Sequence, residues 1–124
     1  MNMNPLATSV GIIHSINSTS TTSIPNVTDT AIYSGVLPKG TYMASIKLFM
    51  DIPTATTWYV ACQGLREQKN CPCAYTQLSG MVTSDGVSPI SVNVYQTTGG
   101  TLTRPYDYDL VRFVQLSTEV VTNY

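Results

Sequence analysis

The stretch GVLPKGTYMASIKLFMDI, Gly35 to Ile52, decides the fold. In its Leu-Pro-Lys-Gly turn, Pro38 suits the second position of a type I turn, where its fixed φ costs nothing, and Gly40 suits the fourth. A strand starts at once. Tyr42, Ala44, Ile46, Leu48 and Met50 share one face, and Met43, Ser45, Lys47 and Phe49 the other, which is the two-residue period of a β-strand. The first set is assigned to the core. The second is mixed rather than polar, because Met43 and Phe49 flank Lys47, as in a strand partly covered by another subunit.

Working outward, the same period recurs between turn signals. In TTWYVACQG (56–64), Trp58, Val60 and Cys62 fall on one face and Tyr59 and Ala61 on the other. LREQKNCPC (65–73) carries three of the thirteen charges and reads as a loop. YTQLSGMVTS (75–84) and VSPISVNVYQ (87–96) flank Asp85-Gly86, which predicts a type I′ hairpin. Pro89 donates no ladder hydrogen bond, so the second strand is expected to start at an edge or a bulge, with Ile90, Val92 and Val94 inward and Ser91, Asn93 and Tyr95 outward. QTTGGTLT (96–103) predicts another hairpin at Gly99-Gly100. In YDLVRFVQLS (108–117), Leu110, Arg112, Val114 and Leu116 share one face and Val111 and Phe113 the other, and both faces are partly apolar. About seven or eight short strands and no useful amphipathic helix make an all-β, antiparallel jelly-roll β-sandwich. It is placed at residues 31–117. A polar arm, residues 1–30, leads in through SINSTSTTSIPNVTDT (15–30), and residues 118–124 form a tail.

Composition limits the function. Charged residues are 10% of the 124, against roughly 25% in ordinary domains, while Ser and Thr number 30. Six basic and seven acidic residues leave a net charge of -1 with no basic cluster, so no nucleic-acid partner is expected. Low charge also weakens repulsion between copies and favours assembly. The start MNMNPLATSVGIIHSI has neither a basic region nor an apolar run of signal length, and no segment reaches about 18 apolar residues, so no membrane insertion is expected.

Chemistry-bearing residues are sparse. His14 is the one histidine; a Ser-His-Asp arrangement would have to use it, and it sits in the lead-in rather than a rigid cleft. No enzyme activity and no cofactor are expected. The three cysteines are Cys62, Cys71 and Cys73. A zinc site would need a fourth ligand, so Cys62 paired with Cys71 or Cys73 across the charged loop is the candidate disulfide. Tyr106, Asp107, Tyr108 and Asp109 form YDYD, whose rings and carboxylates suit a glycan, because rings stack on sugar faces and carboxylates accept from hydroxyls. Tyrosine is equally favoured at subunit contacts.

The run LPKGTYMASIKLFM (37–50), with LSGMVTS (78–84), PISVNVYQTTGGTLT (89–103) and the terminal LVRFVQLS (110–117), resembles the C1q/tumour-necrosis-factor-like jelly-roll superfamily. In particular, it resembles the small versions in virion proteins and bacterial surface proteins, over Gly35 to Ser117. The resemblance implies a compact homotrimer packed around a three-fold axis, with Tyr42, Tyr59, Tyr95 and Phe113 as the candidate interface. It also implies a virion location as a minor capsid, cement or fibre-head protein, with neighbouring capsid subunits as partners. The alternative is a lectin-like module on an extracellular surface, using YDYD.

Overall fold

The computed structural model describes residues 11–19, 23–49, 57–69, 75–103 and 109–120. Their strands are β1 (Ile13–His14), β2 (Asn17–Ser18), β3 (Ser23–Ile24), β4 (Thr30–Gly35), β5 (Gly40–Phe49), β6 (Trp58–Cys62), β7 (Leu65–Lys69), β8 (Tyr75–Ser84), β9 (Ile90–Gln96), β10 (Leu102–Thr103) and β11 (Leu110–Ser117). One antiparallel sheet has the order β1-β11-β5-β8 and the other β2-β4-β9-β6-β7, while β10 pairs with β3. Setting aside the short β2, β3 and β10, the remaining eight strands fall in the order first-eighth-third-sixth in one layer and second-seventh-fourth-fifth in the other. That order is a jelly roll.

Alternation explains the layers. Tyr42, Ala44, Ile46 and Leu48 of β5 are buried, as are Trp58, Val60 and Cys62 of β6 and Ile90, Val92 and Val94 of β9. Inward side chains of both sheets therefore make one core, in which Trp58, Tyr42 and Phe113 are the largest. Each contributes on the order of 1.5–3 kcal/mol through burial. The Leu-Pro-Lys-Gly turn is pinned from both sides: the Tyr42 hydroxyl donates to the Pro38 carbonyl at 2.6 Å and the Ser84 hydroxyl to the Leu37 carbonyl at 2.7 Å. Gly40 is required there, since a Cβ would fall onto the Ser117 carbonyl oxygen.

Several expectations are corrected. Asp85-Gly86 does not join a hairpin: β8 pairs with β5, whereas β9 lies between β4 and β6 in the other sheet. Gly86 does take a positive φ of 83°, but the turn closes on the Asp85 carboxylate, which accepts from the backbone N–H groups of Val87 at 2.8 Å and Ser88 at 2.7 Å. An Asx-type turn of this kind can carry the chain between layers. Gly99-Gly100 likewise leads not back along β9 but to β10, paired with β3. Pro89 precedes a central strand, not an edge; the irregular register lies in β4, between Ala31 and Tyr33.

Leu65–Lys69 is a strand, not a loop. It occupies a sheet edge, where charged side chains discourage pairing with other chains. The boundary at residue 30 also shifts, because Ile16 and Ile24 are buried in the core and β1 and β2 pair with β11 and β4. Among the described residues of this lead-in, 11–19 and 23–30, hydroxyl-rich sequence around isolated isoleucines makes short strands paired to the sandwich.

Candidate assembly surface

The pairing register of the four-stranded sheet lines up its outward side chains. Ile13 is opposite Val114, Val114 opposite Met43, and Met43 opposite Met81. An apolar row thus crosses all four strands, about 14 Å at the usual strand spacing. Ile13 is 59% exposed and Met43 42%. Leu116 is exposed further along β11, whereas the rows on the other side are polar or mixed, with Arg112 opposite Ser45 and the exposed Leu110 opposite Lys47. The mixed outer face of β5 is therefore part of a continuous surface feature.

The four candidate interface residues do not gather at one place. Tyr42 and Phe113 are fully buried in the core, which removes them from any subunit contact. For Phe113 the reason is register: it pairs with Ala44 of β5 and His14 of β1 on the inward face, and the outward residues of β11 are Leu110, Arg112, Val114 and Leu116. Tyr59 and Tyr95 do lie outward, but on the five-stranded sheet, opposite each other across β6 and β9. Their rings stack at 5.1 Å with planes 15° apart, and the Arg66 guanidinium covers Tyr59 at 3.9 Å from the ring centroid. Nearby, Asn93 Nδ2 donates to Asp29 at 3.2 Å. That face is polar and engaged with itself.

Of the candidate ligand residues, Tyr106, Asp107 and Tyr108 lie outside the described residues. Asp109 works in the fold: one oxygen accepts from the Phe49 backbone N–H at 3.1 Å and the other from the Tyr33 hydroxyl at 3.0 Å, tying the start of β11 to both sheets. Cys71 and Cys73 also lie outside. Cys62 is a free, buried thiol, so its expected disulfide is not formed. Burial pushes its pKa up to about 11. In the β6–β7 register Cys62 is opposite Leu65 at the turn and Trp58 opposite Lys69.

His14 meets Gln115 Oε1 at 3.2 Å and stands edge-on to the Tyr42 ring, with centroids 5.6 Å apart; its place is structural. A cleft of about 250 Å³ is lined by Gln63, Thr83, Ser84, Asp85, Ser88, Pro89, Ile90 and Val120. Its polar groups are largely occupied. Asp85 is held by the Ser88 and Val87 N–H groups and the Ser88 hydroxyl, which keep its pKa low, and Gln63 is bonded to Thr83. Among the described residues no group of three or more His, Cys, Asp or Glu side chains gathers to hold a metal, and no helix is long and apolar enough to cross a membrane.

Sequence periodicity found the apolar face of β5, but the partners on β1, β8 and β11 become visible only with the register. No protein-family model, curated protein or solved structure matches the chain.

Proposed function

We propose that this protein is a non-enzymatic structural subunit of a virus particle, a minor capsid, cement or fibre-head protein, that assembles as a homotrimer. The observation carrying this reading is the apolar row Ile13-Val114-Met43-Met81 across the outer face of the four-stranded sheet. In a chain with only 10% charged residues, contact with sister subunits removes that row from water. A jelly roll supports the reading because two stiff layers hold such a face in fixed shape.

Contact uses the sheet face rather than the aromatic positions first singled out, since Tyr42 and Phe113 are committed to the core. A glycan site at YDYD gains no support from Asp109, whose oxygens are bonded within the fold. Substituting Met43→Glu tests the reading. It places a charge in the middle of the row without touching the core, and the assembled mass should fall in sedimentation velocity. Unchanged mass would exclude this face as the contact.

A further inference from the structure

The row Ile13-Val114-Met43-Met81 contains two thioethers, and the fold sets them side by side. Met43 of β5 and Met81 of β8 are direct partners in an unbroken antiparallel register, so their Cβ atoms lie about 4.5–5.5 Å apart. Both point outward, because their strand neighbours Tyr42, Ala44 and Val82 are buried in the core and side chains alternate along a strand. Met43 is 42% exposed, and Met81 is half-buried beside it. Val114 flanks Met43 on the far side, with Ile13 beyond it. The other methionines, Met1, Met3 and Met50, lie outside the described residues.

A thioether is the one group in this row whose polarity a small oxidant can change. Its sulfur lone pair attacks the outer oxygen of a hydroperoxide. The O–O bond breaks, an S=O bond forms, and the proton passes to the leaving oxygen, giving an alcohol, or water from hydrogen peroxide. Sulfur is oxidised by two electrons and the peroxide is reduced by two. The sulfoxide is polar and accepts hydrogen bonds, yet Ile13, Val114 and Met81 offer it no side-chain donor, and covering an unpaired polar group costs free energy. Met43, the more exposed of the pair, meets the oxidant first.

We propose that Met43, with Met81 behind it, is a modification site for hydroperoxides that controls assembly. The inference rests on the reading that the four-stranded sheet is the subunit contact. A free subunit presents Met43 to solvent and is open to oxidation, whereas contact with sister subunits covers the row and shields it. A subunit oxidised at Met43 carries a polar sulfoxide in the middle of the row and is kept out of the assembly. Its fold is untouched, because neither methionine belongs to the core cluster. Methionine sulfoxide reductases reverse the change and return the subunit to the competent pool.

Limited oxidation of the wild-type chain tests this. Dilute protein is treated with hydrogen peroxide, quenched and concentrated, and assembled and free chains are then separated by size exclusion. Peptide mass spectrometry places the added oxygen in each fraction. Met43 sulfoxide should be enriched in the free fraction roughly ten- to hundredfold, and those chains should keep the wild-type thermal transition and regain assembly after treatment with methionine sulfoxide reductases. Concentrated protein given the same peroxide should oxidise at Met43 more slowly. Met43→Gln, polar and unbranched, should reproduce the loss of assembly with no oxidant. Met43 sulfoxide divided evenly between the fractions, enrichment that follows Met1, Met3 or Met50 instead, or Met43→Gln assembling as tightly as wild type overturns the proposal. A wild-type chain that is single before any peroxide removes the assembly reading as well, whereas an assembled chain indifferent to Met43 oxidation removes this inference alone.

Discussion

Phe113→Ala separates core from contact on a single strand. Phe113 is fully buried among Ala44, His14 and the rest of the inward layer, and deleting a buried phenyl group typically costs about 3–5 kcal/mol, because the cavity collapses only partly. Unfolding entropy of about 2.1 cal/mol/K per residue over 124 residues converts that to a Tm lowered by roughly 12–19 °C. Met43→Ser is the counterpart: its side chain is 42% exposed, so the isolated domain should change by no more than about 0.5 kcal/mol. Scanning calorimetry at a fixed chain concentration, with light scattering on the same samples, reads both. The expected pattern is a large fall in Tm for Phe113→Ala, and a loss of mass without loss of the folded signal for Met43→Ser. A Phe113→Ala protein that melts like wild type but no longer assembles would refute the assignment of faces.

Three further outcomes follow from the same contacts. Cys62 has its pKa raised by burial from 9.0 to about 11, so the unfolded thiol ionises first: its share of stability is intact below about pH 9 and is lost as pH rises toward 11. Cys62→Ala should flatten that alkaline limb in denaturant titrations, and alkylation of Cys62 in the native protein at neutral pH should be slow until the protein is unfolded. The Asp85 pKa is lowered from 3.8 by the Ser88 and Val87 N–H groups and the Ser88 hydroxyl. Its contribution is present above that value and lost as pH falls through the folded pKa, so Asp85→Ala should weaken the acid limb of the stability profile. Asp109→Ala should cost on the order of 1–3 kcal/mol by leaving the Phe49 N–H without this partner, and a cycle with Tyr33→Phe should show coupling, measured by urea unfolding.

The strands' existence and inward faces were legible where one face is plainly apolar. Trp58-Val60-Cys62 and Ile90-Val92-Val94 declare themselves by period alone. β11 did not, because Leu110, Val114 and Leu116 are as apolar as Val111 and Phe113; only pairing with His14 and Ala44 turns Phe113 inward and Val114 outward. Gln115, buried at 3% exposure, further disguises the inward face with a polar side chain that meets His14. The turn positions are legible but neither their type nor their consequence is: Gly86 and Gly99 take positive φ while Asp85 and Gly100 do not, so neither turn is the type I′ hairpin expected, and a local signal cannot tell a hairpin from a crossing between layers. β7 was hidden by its own edge protection, because Arg66, Glu67 and Lys69 look like loop residues. The candidate surface was visible in part, as the mixed outer face of β5, while its neighbours on β1 and β8 are far away in sequence.

Sedimentation equilibrium of the purified wild-type chain over a range of concentrations tests the central claim most directly. Assembly through the four-stranded sheet predicts a species of three 13.5 kDa chains, or a multiple of it, that Met43→Glu reduces. A single 13.5 kDa chain at every concentration would contradict it.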